Sequence, residues 1–440
     1  MSTPTPAMNP VEPVLSGSSP GSTVPQAERL TPYLWHLLFF VSIATLFEGY
    51  DAVITGMALP YLGKDFGIGP KELGFATSVI SIGTIVAFVP VRLADRYGRR
   101  PLLLLSVSGY SLFTILTAFS SGLYDFVLYQ FVARAFMVTE IGVGAVVLAE
   151  ELPARYRGIG VAVMIGAGAL GFLLAAALFS VFADTALGWR WLYLSGGGLL
   201  PVVAVYWRKL QETQRWREQQ QTHERQAPLG WRQSAAKWSR EMKVVYQPRY
   251  RGRLVAVTAL WFSTNFWSGL LYFLPYYVIN ERGWTPGQLS AVLMLAHTVG
   301  LLGYALAGAL LDGLGRKPTV YLYFGLGGIV SVVCFTAPTS PIITVCYVAT
   351  IAMMAIWTIS ATISAEVFPT AMRATANAVA NNLQGRIGMV VAPALVGALS
   401  STVGSVGTTV ALLAPVVWLC IPLVWRFLPE TRRKTLEEIG

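Results

Sequence analysis

The sequence predicts an all-α membrane protein in which twelve transmembrane helices form two pseudo-symmetric six-helix bundles. Of its 440 residues, 54% are hydrophobic and 12% are charged, about half of the ~25% charged share of soluble domains. So few charges cannot cover a surface that faces water, so we expect a polytopic membrane protein. Twelve apolar segments and two repeated motifs support the same architecture.

The apolar segments form two groups of six, and each is close to or above the ~20 residues that a spanning helix needs. We expect an N-terminal bundle over 32–208, a polar and basic middle loop over 209–253, and a C-terminal bundle over 254–428. Residues 1–31 are rich in Ser, Thr and Pro and predict a disordered tail, and 429–440 form a second tail. The apolar segments lie at about 34–60, 73–92, 102–120, 124–149, 159–183, 190–207, 254–280, 288–311, 318–337, 341–366, 374–399 and 405–428.

Basic residues lie almost entirely on one side of this topology. The stretch from Arg208 to Arg253 alone carries twelve Lys or Arg residues, whereas the opposite connections carry only Lys64, Lys71, Arg190 and Arg282. Because cytoplasmic loops are enriched in Lys and Arg, we expect both termini in the cytoplasm and the protein in the plasma membrane, the inner membrane of a bacterium. The net charge of +10 therefore indicates topology and contact with anionic lipid headgroups, and does not predict a nucleic-acid partner.

Two motifs occur twice along the chain. "DRYGRRP" at 95–101 recurs as "DGLGRKP" at 312–318, and "AEELPARYRG" at 149–158 recurs as "AEVFPTAMRA" at 365–374. The two offsets, 217 and 216, are nearly equal, so we infer a duplicated six-helix unit. Such a duplication predicts a binding site between the halves near the bilayer midplane.

These paired loops resemble the cytoplasmic signatures of the major facilitator superfamily. "QETQRW" (211–216) and "LPETRRKTLEEI" (428–439) resemble elements of its sugar-porter-like members. "GYD" in the first segment and "GRIGMVVAP" (385–393) resemble aromatic-acid and organic-acid proton symporters. The Gln-Gln pair of sugar porters and the Pro-containing signature of drug antiporters are absent, and Val91 stands where the loop signature has glycine. The resemblance implies a secondary transporter.

Three acidic residues lie inside apolar segments. Glu48 and Asp51 are three residues apart and share a helix face, and Glu140 lies in the fourth segment. A carboxylate inside the membrane must be paired, hydrated or protonated. We therefore predict proton coupling by all three, with Glu48 favoured as the proton carrier because Asp51 has the shorter reach. Asp51 could instead cap backbone groups or pair structurally with an arginine.

Two arginines, Arg134 and Arg386, lie near the middle of their segments. A buried guanidinium group needs a carboxylate partner or an anionic ligand, so both are predicted to bind substrate, with static ion pairs as the alternative. Asn265 aligns with Glu48 in the repeat and is predicted to line the cavity beside Tyr272 and Trp357. Aromatic residues in spanning segments more often belong to the core or the interface belt.

The charged residues of the repeated loops are predicted to gate transport without touching substrate. Each motif Asp is expected to accept from the free N–H groups at a helix start, and the resemblance adds charge pairing that latches the outward-open state. A purely topological role for the basic residues is the alternative. The predicted gating residues are Asp95, Arg96, Arg99, Arg100, Glu150, Arg157, Asp312, Arg316, Lys317, Glu366 and Arg373.

The chain has no GxxxxGK[ST] loop, no Gly-x-Ser-x-Gly element and only three scattered histidines, so we expect no cofactor, no metal and no enzymatic activity. The predicted function is proton-coupled symport of a small organic anion, an aromatic or aliphatic carboxylate, by alternating access. Its partners would be this substrate, protons and the lipid bilayer, and we expect a monomer. Sugar or polyol transport, metabolite or drug efflux, and ligand sensing without transport are the alternatives.

Overall fold

The computed structural model describes residues 30–87, 90, 97–153, 155–213, 216–218, 240 and 242–432, which form helices and their connections. The first half contains α1 (Pro32–Asp65), α2 (Pro70–Val86), α3 (Arg99–Ala118), α4 (Leu123–Glu151), α5 (Arg157–Phe182), α6 (Trp189–Gly196) and α7 (Leu199–Tyr206). The second half contains α8 (Pro248–Glu281), α9 (Pro286–Gly313), α10 (Arg316–Thr336), α11 (Ser340–Glu366), α12 (Met372–Val403) and α13 (Val406–Phe427).

Ten helices of the described residues are long and apolar enough to cross a membrane, all except α2, α6 and α7. The predicted second span falls on α2, which has 17 residues and ends where the described residues stop. The predicted sixth span falls on α6 and α7, two eight-residue helices interrupted at Gly197 and Gly198, because consecutive glycines weaken a helix interior. The total of twelve spans therefore stays a prediction. Most of the predicted N-terminal tail and middle loop lies outside the described residues.

Local sequence sets the helix starts and their irregular turns. Thr285 accepts a hydrogen bond from the backbone of Gln288 at 3.2 Å, and Pro286 opens α9, a combination typical of helix N-termini. Two long helices contain π-helical turns, at Tyr277–Glu281 in α8 and Ala378–Gly385 in α12. The second of these turns ends immediately before Arg386, and such turns frequently accompany functional sites.

Each half is held together by helices that pack through glycine. In the first half, a Cβ atom on Gly49 of α1 would overlap the backbone of Gly168 in α5. In the second half, a Cβ on Gly388 of α12 would lie 2.8 Å from the backbone nitrogen of Phe266 in α8. Each half also has its own buried apolar cluster, and the largest buried cluster contains residues of both halves.

Loops of the first half meet on one face of the molecule. The Asp65 carboxylate, at the end of α1, accepts from Trp189 Nε1 and Arg190 Nη1, both at 2.8 Å. Arg190 also donates to the Ser120 carbonyl oxygen at 3.4 Å. The connections after α1, α3 and α5 therefore lie on the same face.

The two halves touch each other on this same face, which we call the seam face. Near the start of α2, Gly74 lies so close to α12 that a Cβ would be 2.7 Å from Gly397 Cα. The Ser78 hydroxyl donates to the carbonyl oxygen of Val390 across the same junction. At the end of α8, Glu281 accepts from the Val406 backbone at 2.5 Å, so the connections after α8 and α12 also lie there. We call the opposite face, where the arginine motifs lie, the basic face.

Candidate functional site

A cavity of about 440 Å³ lies between the two halves. Its wall is formed by α1, α2, α4 and α5 of the first half and by α8, α9, α11 and α12 of the second. The volume is at the small end of the ~300–1,000 Å³ typical of ligand pockets. The polar and aromatic side chains that line it include Glu48, Thr84, Arg134, Ser268, Tyr272, His297, Tyr304, Tyr347, Trp357 and Arg386.

Arg134 lines the cavity and is held by buried groups of α1. Its Nη2 atom donates to Thr55 Oγ1 at 3.1 Å and lies 3.8 Å from Asp51 Oδ2. Both charged side chains are almost fully buried, Asp51 at 0% and Arg134 at 3% exposure. A separation of 3.8 Å is an ion pair but too long for a hydrogen bond. Asp51 thus compensates the charge of Arg134, which would be costly to bury alone.

A neutral network supports this pair. Gln130, one helical turn before Arg134, accepts from the Thr55 hydroxyl at 3.5 Å and donates to Thr117 of α3 at 3.0 Å. Gln130 and Thr117 are fully buried. The network restricts Thr55, the residue to which the guanidinium group donates, and so fixes the orientation of Arg134.

Glu48 and Arg386 occupy the cavity wall, and neither has an ion-pair partner among the described residues. Glu48 is half-buried, and neither side chain forms an ion pair within 4 Å in the part of the chain that the structure describes. Arg386 Nε is buried and makes no hydrogen bond with the described residues. The cavity therefore presents one carboxylate and one guanidinium group that are both available to a ligand or an ion.

Glu140 and Asn265 lie in helix packing, and neither is among the residues of the cavity wall. Glu140 is 1% exposed, and its two oxygens have no hydrogen-bond partner among the described residues. Asn265 is fully buried and donates to the Trp261 carbonyl oxygen at 2.8 Å. Their predicted roles in coupling and in lining the cavity stay predictions.

The two predicted aromatic residues of the site are both on the cavity wall. Trp357 Nε1 donates to the hydroxyl of Ser268 at 3.1 Å, which fixes the indole ring of α11 against α8. The backbone of Tyr272 lies against α1, since a Cβ on Gly56 would be 3.2 Å from its carbonyl oxygen. Tyr272 therefore stands at a contact between the halves.

The predicted gating residues of the first half converge on the basic face. Arg99 Nη2 contacts Glu150 Oε1 at 3.2 Å, and the Thr213 hydroxyl donates to Glu150 Oε2 at 2.8 Å. The Glu212 carboxylate accepts from the backbone N–H groups of Arg99 at 2.9 Å and Arg100 at 3.2 Å. We call these five residues the first clamp. Asp95 and Arg96 lie outside the described residues.

The second half repeats the arrangement almost atom for atom. Arg316 Nη2 contacts Glu366 Oε1 at 2.6 Å, and the Thr431 hydroxyl donates to Glu366 Oε2 at 2.5 Å. The Glu430 carboxylate accepts from the backbone N–H groups of Arg316 at 2.9 Å and Lys317 at 3.0 Å. We call these five residues the second clamp. The contacts of each clamp lie within its own half. The gating role of these residues stays a prediction.

Two further predicted gating residues also occupy equivalent positions. Arg157 Nε donates to the Leu152 carbonyl oxygen at 3.0 Å, and Arg373 Nε donates to the Phe368 carbonyl oxygen at 3.4 Å. Each arginine thereby holds the bend of the chain that follows α4 or α11. The equivalence supports the duplication inferred from the sequence.

The expected capping by the motif aspartates is wrong for Asp312. Its side chain is 83% exposed, and among the described residues its carboxylate pairs with Arg316 alone, at 3.5 Å. The N–H groups at the start of α10 bond instead to Glu430, which arrives from the C-terminal end of the chain. Gly315, with φ of 109°, places Asp312 on the other side of a tight turn, so its short side chain does not cap the helix.

A family model for the Major Facilitator Superfamily matches residues 41–392. The chain belongs to the Major Facilitator Superfamily. A gallate transporter of Pseudomonas putida is 27% identical to it, over 84% of this chain and 87% of its own length. The niacin transporter NiaP of Acinetobacter baylyi is 27% identical, over 92% of this chain and 96% of its own. The fold matches the inward-open xylose transporter XylE from E. coli with a TM-score of 0.74, at 20% identity and over 92% and 98% of the two chains.

Membership of this superfamily makes the protein an integral membrane transporter of small molecules, and not an enzyme. The sequence-based reasoning missed the residues that complete its clamps, Glu212 and Thr213 in the first and Glu430 and Thr431 in the second. A signal was present, because the dipeptide Glu-Thr occurs in both "QETQRW" and "LPETRRKTLEEI". Its offset of 218 is close to that of the other repeats.

Proposed function

We propose that this transporter moves a small aromatic carboxylate across the bacterial inner membrane together with one proton, by alternating access. The observation that carries the proposal is that two guanidinium groups, one from each half, line the same cavity. Arg134 already has Asp51 at 3.8 Å, whereas Arg386 has no carboxylate within 4 Å among the described residues. An anionic ligand would supply the missing partner, and arginine is well suited to bind carboxylates bidentately.

The charges of the site support coupling to one proton. When the cavity is empty, the carboxylates of Glu48 and Asp51 balance the two arginines. When a monovalent anion binds, protonation of Glu48 restores the same balance. Since uncompensated charge in the membrane interior is costly, anion and proton bind best together, and the loaded and empty carriers have the same charge. Glu140, which is buried without a hydrogen-bond partner among the described residues, is proposed to stay protonated and to supply a proton to Glu48.

The lining of the cavity favours an aromatic substrate. Tyr272, Tyr304, Tyr347 and Trp357 all contribute to the wall, and aromatic rings pack well against one another. Gallate and niacin, which name the cargo of two relatives, are both aromatic carboxylic acids. The same chemistry is proposed for the substrate of this chain.

The proposed topology has twelve spans, counting α2 as the second and α6 with α7 as the sixth. The basic face would be cytoplasmic, with both termini on that side, because Lys and Arg accumulate there. Residues 32–208 would rock against 254–428 as a monomer in the bilayer. The two clamps would hold the helices of each half together during this movement, so that the halves move as bodies.

A competition experiment tests the substrate class. In proteoliposomes with an inward pH gradient, we expect uptake of radiolabelled benzoate, competition by other aromatic carboxylates, and none by benzamide or xylose. Arg386→Gln should weaken benzoate binding roughly 10- to 100-fold, the effect of ~1.5–3 kcal/mol for a charged hydrogen bond. Arg282→Gln, on the seam face, is the control. Competition by xylose but not by carboxylates would overturn the proposal and favour the sugar alternative.

A further inference from the structure

His297 of α9 is a polar residue of the cavity wall that the charge balance does not use. Its ring packs against Phe172 of α5, with a distance of 5.0 Å between ring centroids and an angle of 32° between the planes. The two residues belong to different halves and both line the cavity. The imidazole is therefore held in place at the junction of the halves.

The imidazole nitrogens of His297 have no hydrogen-bond partner in the described part of the chain, and Nε2 is buried. A neutral imidazole carries one donor and one acceptor, and burying either one unpaired costs free energy. A rotation of 180° about the Cβ–Cγ bond exchanges the ring nitrogens with ring carbons, so either nitrogen can turn towards the cavity. A polar group of a ligand would complete this hydrogen bonding.

The depth of His297 matches that of Arg134. His297 is eleven residues beyond Pro286, and Arg134 is eleven residues beyond Leu123. Both helices begin on the seam face, and at 1.5 Å per residue both side chains lie ~16 Å below it. Arg134 belongs to the first half and His297 to the second, and both line the cavity, so a ligand at this depth can contact both halves.

We propose that His297 recognises a hydroxyl group on the substrate ring, at the end of the ring remote from the carboxylate. The inference rests on the proposed function and narrows its substrate class to hydroxylated aromatic carboxylates. A hydroxyl group both donates and accepts, so it satisfies whichever nitrogen of the imidazole faces the cavity. Phe172 would position the imidazole and pack against the ring of the ligand.

Matched ligands test this assignment on the purified full-length protein. Dissociation constants for benzoate, 3-hydroxybenzoate and 4-hydroxybenzoate would be measured by isothermal titration calorimetry. We expect His297→Leu to weaken binding of a hydroxylated ligand roughly 3- to 10-fold, the effect of one neutral hydrogen bond, and to leave benzoate unchanged. His297→Gln should restore part of the preference. Thr298→Val, at the exposed neighbouring position, should change nothing.

The possible failures can be told apart. Wild-type protein that binds none of the three carboxylates would overturn the proposed function and this inference with it. Wild-type protein that binds all three equally, or a His297→Leu variant that weakens benzoate as much as its hydroxylated forms, would overturn the role of His297 alone. Wild-type affinity of His297→Leu for benzoate shows that the variant is folded.

Discussion

At the residue scale, Glu48 and Asp51 differ in their surroundings although they are one helical turn apart. Asp51 is fully buried beside Arg134, at 3.8 Å. Glu48 is on the cavity wall and has no ion pair among the described residues. A carboxylate held by a guanidinium group is costly to neutralise, because the arginine would lose its compensation. Glu48 is therefore the better proton carrier in our account.

Replacing Glu48 by Gln should separate binding from coupling. We expect Glu48→Gln to retain exchange of substrate between the two sides of a proteoliposome, because the arginines remain compensated by Asp51 and the anion. Accumulation driven by a pH gradient should fall at least ~10-fold, since the proton carrier is lost. Both activities are measured with radiolabelled substrate.

Asp184→Asn, at an exposed position of a loop, is the matched control and should accumulate substrate as the wild type does. Undiminished accumulation by Glu48→Gln would show that another group carries the proton.

At the element scale, the same clamp occurs at the basic end of each half. In each clamp an acidic residue caps a helix start, and a neighbouring threonine bonds to the acid that holds the motif arginine. The capping residues arrive from distant parts of the chain, Glu212 after α7 and Glu430 after α13. Each clamp thereby fastens the last helix of its half to the motif loop.

The pKa of Glu430 reports on the second clamp. Partial burial alone would raise this pKa, but four backbone N–H groups that bond to the carboxylate lower it below its usual value. A lowered pKa in the folded state means that the group stabilises the fold above its ordinary pKa, and that this stabilisation is lost as the pH falls through the lowered value. The four donors are the backbone nitrogens of Arg316, Lys317, Thr431 and Arg432.

Glu430→Ala should therefore lower the thermal unfolding midpoint at neutral pH, by an amount equivalent to roughly 0.5–2 kcal/mol for a lost helix cap. The difference from the wild type should shrink in acid, where the wild-type carboxyl is protonated. Asp312→Ala is the control, because an exposed ion pair contributes little. If Asp312→Ala lowered the unfolding midpoint more than Glu430→Ala, Asp312 and not Glu430 would cap the helix.

The junction of α2 with α12 lies on the seam face, and its close packing depends on glycine. Gly74 and Gly397 allow the two backbones to approach closely, since a Cβ on Gly74 would overlap the Pro393 carbonyl oxygen. The proposed alternating access would require this junction to open and close. Any larger side chain at Gly74 must hold the helices apart.

Gly74→Val should shift the transporter towards states that are open at the seam face. In a background without native cysteines, we expect Ser78→Cys to react several-fold faster with a maleimide added from that side, and transport to slow. Gly166→Val on α5 is the control, because a Cβ there meets nothing within 4 Å. An unchanged labelling rate in Gly74→Val would contradict a gate at this junction.

At the scale of the whole molecule, the two halves have the same architecture but differ in the polar side chains of their interiors. Near the cavity, the first half carries four charged residues, Glu48, Asp51, Arg134 and Glu140. At the repeat position of Glu48, the second half has Asn265, and its neighbours pair as neutral groups. These neutral pairs join Thr264 with Ser360 at 2.9 Å and Trp261 with Ser364 at 2.7 Å. The proposed proton chemistry is thus confined to one half.

Much of this architecture could be predicted from composition and repeats, because apolar length decides where a chain can cross a membrane. The depth of Arg134 and the acids of α1 also follow from residue counts. The Glu-Thr repeat marks Glu430 but does not show which N–H groups it caps, and nothing in the sequence marks the contact of Phe172 with His297, since each contact joins residues more than 100 positions apart. The consecutive glycines indicate the interruption between α6 and α7, but a prediction based on apolar content alone treats 190–207 as one continuous span.

We propose that an anion and one proton cross the membrane together without net charge, and this coupling is open to a direct test. It is tested most directly by measuring substrate uptake into proteoliposomes under two separate forces, a pH gradient and a potassium diffusion potential set with valinomycin. We expect that the pH gradient drives accumulation of a monovalent aromatic carboxylate and that the potential alone drives none. Uptake driven by the potential, or uptake indifferent to the pH gradient, would contradict it.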